Sequence, residues 1–404
     1  MTKLEQKWRI GERVLDVLIS GTSFLDSKEG FLGSFNRVED ADQFLEAYGF
    51  DLHDPIEKAE LHGTLQEALL FIRTYFLKPQ APSGLSLEIP KKFFEISDIR
   101  ELLVLSGSNQ NRDMRLWACA ILKVIHTITH IDRDMRTHYF SDIQMQILDR
   151  YYRYLHRDEH GVLFIGRTAD DPLRVNLVEF QVKPKKARDS TLMKLLYKPG
   201  SVAEELFDRV GVRLVTKTRV DAIRAIQFLE HMSVVVPANI KPSRSRNTLM
   251  QIDQFKEILN RESKKVYLSE IPETELEALL EAIPHGNTSP GENPFSSEHY
   301  RAIQFTCRQL IKIKNPLSEN IRKLKSVTRG MGLGPEIMSV IERVDQKYIQ
   351  RVTRFFYPYE VQVLDELSYL ENEKGRSAHA QYKKAQQNAA ILRVMGPLAE
   401  LHET

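Results

Sequence analysis

The sequence predicts an α+β protein in which an all-helical N-terminal domain, residues 1–158, precedes a part that contains a β-sheet. Apolar residues recur at helical spacing through most of the first part. After Arg157 the pattern changes to short strands, and residues 177–183 alternate polar and apolar side chains with a period of two. Residues 359–364 alternate in the same way, which is typical of a half-buried strand. The change of pattern predicts a domain boundary at about residues 155–160.

The helices of the first part are predicted from their apolar stripes. The stripes cover residues 10–18, 41–48, 65–77 and 99–105. The most apolar segment is 116–131, so we expect it to be the central helix of this domain. It carries His126 and His130 four residues apart, on one face of the helix. That spacing is compatible with a metal site, and equally with polar positions on a helix that faces another domain.

Composition limits the class of protein. The chain has 404 residues, of which 42% are hydrophobic and 28% charged, which indicates a globular protein and excludes a disordered one. Its net charge of +2 argues neither for nor against a nucleic-acid partner. Cys119 and Cys307 lie in apolar runs and predict no disulfide. No apolar run approaches about 18 residues, and the N-terminus lacks a signal-peptide centre, so we expect a cytoplasmic protein without a membrane partner.

The most informative stretch for function is residues 355–384. Glu360 and Gln362 are two residues apart in the predicted strand and therefore project from one face. A carboxylate and an amide at the end of a sheet can hold a metal ion and orient a phosphate. After Gly375, a helix-like run carries His379 and other polar residues. An ordinary amphipathic strand followed by a polar surface helix is the alternative interpretation.

This stretch, EVQVLD…ENEKGRSAHAQYK, resembles the block that closes the synthetase domain of the RelA/SpoT family, the synthetases of the alarmone (p)ppGpp. The residues in register are Glu360, Gln362, Glu373, Gly375, Ala378, His379, Tyr382 and Lys383. One departure is that Leu364, followed by Asp365, stands where the family has Arg.

A second block, Lys186-x-x-x-Ser190-x-x-x-Lys194, resembles the family's K-x-x-x-S-x-x-x-K, which binds the ATP phosphates. The residues alone support anion binding here. Ser190 is predicted to cap a helix N-terminus, where free amides favour an anion, and the two lysines add positive charge. Pro184 stands where the family has its leading Arg. The alternative is a basic helix start on a solvated surface.

A third block, Asp208-x-x-Gly211-x-Arg213, resembles the family's signature for its first metal-binding carboxylate. That carboxylate has to lie at a strand end, where it reaches a Mg²⁺ ion that bridges the ATP phosphates. We expect Gly211 to allow close approach of substrate or of a helix. Arg213 can bind a phosphate through its fork of donors.

A fourth block surrounds the expected acceptor site. Tyr300 begins YRAIQFT, which resembles the family's GYRSLHT, where the aromatic ring stacks on the acceptor base. Capping of the sheet edge is the alternative role for Tyr300. Gln304 replaces the family's His and leaves the identity of the acceptor open. Lys241, Arg244 and Arg246 precede this block and either contact the acceptor's phosphates or form a plain solvated loop.

The resemblance covers residues 177–386, within a second domain at 159–392 that has insertions at about 250–298 and 315–352. It implies a nucleotidyltransferase-like mixed β-sheet flanked by helices. It also implies a bacterial enzyme of the stringent response that moves the ATP β,γ-pyrophosphate to the 3′-hydroxyl of a purine nucleotide. The family's N-terminal hydrolase requires a contiguous His-Asp pair, which is missing here, so no hydrolase is predicted.

The resemblance also assigns roles to the residues. Asp208 and Glu360 would hold Mg²⁺, and Glu360 would draw the proton from the 3′-hydroxyl. The remaining groups would bind substrate: Lys186, Ser190, Lys194 and Arg213 the ATP phosphates, Tyr300 the acceptor base, and Gln362 and His379 the groups around the metal.

Two alternatives use the same fold. One is a tRNA 3′-end pyrophosphokinase, as in the toxic small synthetases of the superfamily. The other is a catalytically inactive nucleotide-sensing or protein-interaction module, which the changes at Pro184, Leu364 and Gln304 support. The acceptor, whether GDP, GTP or an adenine nucleotide, is not determined by the sequence. Neither is the oligomeric state, and a homo-oligomer is one of the states allowed.

Overall fold

A computed structural model describes most of the chain. The described residues are 23–26, 35–81, 83–108, 110–183, 188–198, 210–267, 272–286, 300–330, 336, 339–340, 343, 351–374 and 379–403. The predicted helical stripe at residues 10–18 lies outside them. Among the described residues, no helix is both long enough and apolar enough to cross a lipid bilayer.

The N-terminal part is helical, as predicted. Its helices are α1 (Val38–Tyr48), α2 (Pro55–Tyr75), the short α3 (Lys92–Glu95), α4 (Ile99–Gly107) and α5 (Arg112–Asp132). Polar side chains start them: Asp54 caps α2 by accepting from the Ile56 amide at 2.8 Å, and Asn111 caps α5. Helix α5 is buried along most of its length, which confirms that it is the central helix of this layer.

The remaining helices alternate with strands or follow them. They are α6 (Phe140–Tyr152), α7 (Arg188–Tyr197), α8 (Arg219–His231), α9 (Ile252–Tyr267), α10 (Glu273–Glu281), α11 (Pro316–Gly330), α12 (Glu366–Lys374) and α13 (His379–Glu403). Helix α10 lies within the first predicted insertion, residues 250–298.

A seven-stranded mixed sheet organises the second part. Its strands are β1 (Leu155–Arg157), β2 (Leu163–Ile165), β3 (Val175–Val182), β4 (Gly211–Thr216), β5 (Arg246–Asn247), β6 (Ile303–Lys314) and β7 (Val352–Asp365). The order across the sheet is β1-β2-β3-β4-β7-β6-β5. Only the β4–β7 pair is parallel among these described strands. The fold is therefore α+β with a mixed sheet flanked by helices.

Two main hydrophobic cores hold the described chain together. The helical core combines α1, α2, α4 and α5 with α7 and α13, which come from the C-terminal side of the predicted boundary. The sheet core packs α6 and α8 against the strands. Helix α6 precedes residue 158 but belongs to the sheet core. The domain boundary itself stays a prediction, and the chain crosses between the two cores more than once.

Strand β7 is more deeply buried than its alternation suggested. A half-buried strand was expected, yet every residue of 357–365 is buried. The reason is its central position, because β4 and β6 pair with its two edges. Helix α8 contacts it, and α12 folds back over the strand that it follows. Glu360 and Gln362 do share one face, as predicted.

The second predicted insertion falls between two paired strands. Strand β6 ends at Lys314 and β7 begins at Val352, and these two residues are cross-strand partners. The Asn315 amide donates to the Arg351 carbonyl at 3.0 Å and so joins the two ends of the intervening segment. The segment therefore leaves the sheet and returns to it at one point.

His126 lies inside the helical layer beside an aromatic residue. Its Nδ1 lies 2.5 Å from the Tyr48 hydroxyl, and the His126 and His130 rings are 4.3 Å apart. Burial, and secondarily His130, lower the pKa of His126 to about 3. Burial raises the pKa of Tyr48 to about 12, so the phenol stays protonated and donates to the neutral imidazole. This arrangement fits the polar positions of a packed helix.

We expect acid to destabilise the protein through His126. Between about pH 6.5 and pH 3, His126 is protonated in the unfolded chain but not in the folded protein. The free energy of unfolding therefore falls as the pH decreases through that range. Urea unfolding should show that the free energy of unfolding falls between pH 7 and about pH 4, and His126→Gln should reduce that fall by up to about 3 kcal/mol. His402→Gln is the control, since His402 is exposed and paired with Asp113. Equal pH dependence in wild type and His126→Gln would contradict this assignment.

Candidate functional site

A row of polar side chains crosses the sheet at one level. Cross-strand pairing places five residues side by side on five neighbouring strands: Gln181, Arg213, Gln362, Gln304 and Arg246. Directly opposed residues of neighbouring strands project from the same face. Four of the five were predicted as site residues from separate sequence blocks. The fold therefore brings those blocks together on one face.

Glu360 lies one step along β7 from this row, on the same face. Its side chain is only 9% exposed. Lys183 Nζ donates to Glu360 Oε2, and Gln304 Nε2 donates to Glu360 Oε1. Both carboxylate oxygens are thus engaged by a cation and an amide. A carboxylate this deeply buried needs such partners to remain charged.

Arg213 is the hub of the row. Its Nε donates to Gln362 Oε1 at 3.1 Å, and its Nη1 donates to Gln181 Oε1 at 3.1 Å and to Glu373 Oε1 at 2.9 Å. Gln362 in turn donates through Nε2 to Gln304 Oε1 at 3.1 Å. The amides and the guanidinium therefore form one chain of hydrogen bonds from Glu373 to Glu360. Such a network holds its members in defined orientations.

Gly211 makes room for Lys183. A Cβ placed on Gly211 would lie 2.7 Å from Lys183 Cδ and 3.2 Å from its Cγ. The close approach expected at this glycine is therefore made by the stem of a lysine side chain, which crosses the backbone to reach Glu360. The Lys183 amide also donates to the Gly211 carbonyl at 2.8 Å. A larger residue at position 211 would displace the lysine from the carboxylate.

Tyr300 lies at the edge of this network, immediately before β6. Burial first, and then the nearby Glu360 carboxylate, raise the pKa of Tyr300 to about 12, with Arg213 and Arg246 acting in the opposite direction. Its ring packs against the sheet core while part of the residue remains accessible. The phenol is therefore neutral at physiological pH and lies among charged groups.

The predicted basic loop borders the sheet. The Lys241 amide donates to the Thr306 carbonyl at 2.9 Å, and Arg246 pairs with Gln304 across strands β5 and β6. Arg244 ends the short 3-10 turn between them. Strand β5 is the last strand of the sheet, so this segment forms the rim beside Tyr300 and Gln304. Residues 246–247 pair with the sheet, whereas Pro242, Ser243 and Ser245 are exposed.

The departure at Leu364 has a structural reason. Leu364 is 1% exposed and packs in the sheet core, where an arginine would lack solvent. Asp365 ends β7, and its Oδ2 accepts from the Ser368 amide at 3.4 Å in the first turn of α12. Asp365 therefore serves the start of α12, which carries Tyr369 and Glu373 over the polar row.

The expectation for Ser190 is wrong in one respect. Helix α7 begins at Arg188, so Ser190 lies in its first turn and does not cap it. The helix start is tied to the helical layer: Arg188 pairs with Asp132 of α5, and Tyr75 donates to Asp189 at 2.6 Å. Ser190 is exposed and Lys194 is half-buried, on a helix whose main contacts are with α5 and α13. The structure therefore places them in a different layer from the polar row.

Three predicted residues lie outside the description. Lys186 and Asp208 are not among the described residues, and His379 begins α13 without a described side chain. Gly211 follows Asp208 by three positions and is the cross-strand partner of Glu360. In the described part of the chain, no group of three or more His, Cys, Asp or Glu side chains is arranged to hold a metal ion.

Sequence reasoning missed Lys183, Gln181 and Tyr369, and it gave Glu373 no role. Gln181 and Lys183 could have been found from the period of β3, since residues 179, 181 and 183 share a face. Tyr369 accepts from Gln181 Nε2 at 2.7 Å, a contact across 188 positions that no local pattern signals. These residues extend the network on both sides of Arg213.

Comparison with protein-family models finds no family that matches the chain, and comparison with curated proteins likewise finds no match.

Proposed function

We propose that the chain is a RelA/SpoT-like pyrophosphotransferase that moves the ATP β,γ-pyrophosphate to the 3′-hydroxyl of a purine nucleotide. One observation supports this most strongly. Arg213, Gln304, Glu360 and Gln362, predicted from separate blocks up to 149 positions apart, are joined by hydrogen bonds on one sheet face. The fold thus makes neighbours of residues that the resemblance assigns to one site.

The charges of the site suit a polyphosphate. Lys183, Arg213 and Arg246 contribute three cations on this face, and Glu360 and Glu373 contribute two carboxylates. Arginine presents donors in a fork that matches phosphate oxygens, whereas lysine acts as a point charge. Arg213 and Lys183 would orient the ATP phosphates, and Arg246 would face the acceptor's phosphate at the rim. Glu360 would accept the proton of the 3′-hydroxyl.

The residues fit a magnesium ion that is delivered with the nucleotide. Proteins hold Mg²⁺ with one or two carboxylates, and substrate phosphates complete its coordination. Glu360 supplies one such carboxylate, and its lysine partner indicates that this position attracts a cation. Asp208 is the proposed second ligand. The bound ion would neutralise charge on the transferred phosphates.

A second candidate is a module that binds nucleotide without turnover. Both oxygens of Glu360 accept hydrogen bonds, from Lys183 and Gln304, so the carboxylate is already neutralised by the protein. For Glu360 to act as a base, Lys183 would first have to leave the carboxylate. Nucleotide binding without product would support this candidate.

The test is an assay with labelled ATP and GDP, GTP, AMP or ADP as acceptor, with and without Mg²⁺. The expected result is a labelled acceptor that carries a pyrophosphate, with equimolar AMP. Calorimetry of ATP binding runs in parallel. The absence of product together with the absence of nucleotide binding would exclude both candidates.

We expect Tyr300→Ala to raise the KM for the acceptor while the KM for ATP stays near its wild-type value. Loss of base stacking of about 1–3 kcal/mol corresponds to a roughly 5- to 100-fold change. Tyr300→Phe keeps the ring and should change this KM little. Because the pKa of Tyr300 is about 12, the acceptor KM should not respond to this phenol below about pH 10. Initial rates at saturating ATP measure both constants.

Tyr139→Ala is the control, since Tyr139 is exposed at the start of α6. If Tyr300→Ala and Tyr139→Ala behave alike, Tyr300 does not bind the acceptor and serves only to close the edge of the sheet.

A further inference from the structure

Strands β6 and β7 continue beyond the candidate site as a two-stranded ribbon. Strand β4 pairs with β7 only from Glu360 onward, so residues 352–358 have β6 as their paired neighbour among the described strands. One face of the ribbon is packed: Ile311 and Ile313 are buried, and Gln309 Nε2 donates to the Gln146 carbonyl of α6 at 2.8 Å. On the opposite face Pro358 is buried, and the exposed residues are Arg308, Leu310, Lys312, Lys314, Arg354 and Phe356.

That outward face is basic and aromatic. Its opposed pairs are Arg308 and Pro358, Leu310 and Phe356, Lys312 and Arg354, and Lys314 and Val352. All four cations are exposed, and the face contains no carboxylate. Phe356 is 52% exposed, and the Arg308 guanidinium carbon lies 5.8 Å from the centroid of its ring. No ion pair neutralises these cations within the described residues. A basic face of this kind attracts a polyanion.

This outward face lies on the same side of the sheet as the candidate site. Side chains two positions apart on a strand share a face, so Arg308 and Phe356 project on the same side as Gln304 and Glu360. From Glu360 to Arg354 the strand advances about 20 Å. The exposed cations therefore lie on the same side of the ribbon as the buried carboxylate, and the buried Thr306 and Pro358 separate the two.

We infer that the outward face of the β6–β7 ribbon binds single-stranded RNA. Arg308, Lys312, Lys314 and Arg354 contact the phosphates, and the exposed Phe356 ring stacks on a base. The RNA has to be unpaired, because only an unstacked base exposes its face to an aromatic side chain. An acidic protein would not need the ring, and the two exposed apolar residues are a small area for membrane insertion. This binding goes beyond the proposed function and does not depend on it.

The test measures fluorescence anisotropy of a labelled single-stranded RNA of about ten nucleotides against the full chain. The Lys312→Gln/Arg354→Gln variant should bind more weakly and reduce the slope of log K against log salt by about 1.4, since each lost phosphate contact removes about 0.7. Phe356→Ala should weaken binding about tenfold with an unchanged slope. ATP is absent, so failure of the pyrophosphotransfer proposal leaves the result unaffected.

The matched controls are Lys91→Gln/Lys92→Gln and Phe94→Ala, which remove two cations and one phenyl ring from exposed positions on and next to α3. Unchanged circular dichroism shows that the variants are folded. The inference is overturned if wild type fails to bind the RNA at low salt, or if ribbon and control variants bind alike. It is also overturned if polyglutamate or phosphatidylserine vesicles bind and the RNA does not, which would assign the face to an acidic protein or a membrane.

Discussion

Replacing Glu360 by Gln is expected to lower pyrophosphate transfer by about a thousandfold or more while the protein stays folded. General base catalysis alone contributes about 10²–10⁴, and the loss of a metal-binding carboxylate adds to that. Glutamine keeps the size of the side chain and one oxygen that accepts from Lys183. The cost in stability should be about 1 kcal/mol, since the Lys183 side chain is 26% exposed and regains contact with water. The transfer assay and urea unfolding measure the two effects separately.

Glu366→Gln is the matched control for this variant. Glu366 starts α12 and pairs with the exposed Lys217 at 2.8 Å, away from the polar row. Transfer by Glu360→Gln at the rate of this control would contradict the role of Glu360. If the protein binds nucleotide without turnover, wild type forms no product and Glu360→Gln binds ATP more tightly, because the neutral amide no longer offsets the charge of Lys183.

Gly211→Ala is expected to lower the free energy of unfolding by about 1–3 kcal/mol and to separate Lys183 from Glu360. The added methyl would lie 2.7 Å from Lys183 Cδ, closer than carbon atoms approach, so the lysine stem must move. Displacement leaves the buried Glu360 carboxylate without its cation, and an unpaired buried charge destabilises the folded state. Nucleotide binding should weaken in parallel. Urea unfolding measures the stability change.

A double-mutant cycle isolates this effect. If the clash acts through the lysine, Gly211→Ala should cost about 1 kcal/mol less in a Lys183→Ala background than alone. Gly63→Ala is the control: a Cβ at Gly63 meets nothing within 4 Å, and alanine inside α2 should stabilise by about 0.5–1 kcal/mol. Additive costs for Gly211→Ala and Lys183→Ala would show that the glycine is required for another reason.

Local patterns were sufficient to predict most elements. The apolar stripes located α1, α2, α4 and α5, because a helix that buries one face repeats every three to four residues. The alternation of residues 177–183 and 359–364 located β3 and β7. The degree of burial of β7 was mispredicted, because alternation shows which side chains are polar and apolar on each face of a strand. It does not show which other elements pack against those faces.

The candidate site was predicted in part. Arg213, Gln304, Glu360 and Gln362 were named from motif order, and they share one face. Lys183 was not assigned to the site, because its contact with Glu360 spans 177 positions and depends on the pairing of β4 with β7. Ser190 and Lys194 were grouped with the site because they match the family's K-x-x-x-S-x-x-x-K block, yet α7 packs into the helical core. Periodicity cannot report which distant strand or helix becomes a neighbour.

The passage of α7 and α13 into the helical core has a consequence for dissecting this molecule. A fragment that starts near residue 159 would retain Leu192, Leu196 and Met395 without the helices that now cover them, leaving apolar surface bare to water. The N-terminal fragment would in turn lose α7 and α13 from its hydrophobic core. We expect neither fragment to fold alone, so the two layers should melt as one cooperative unit.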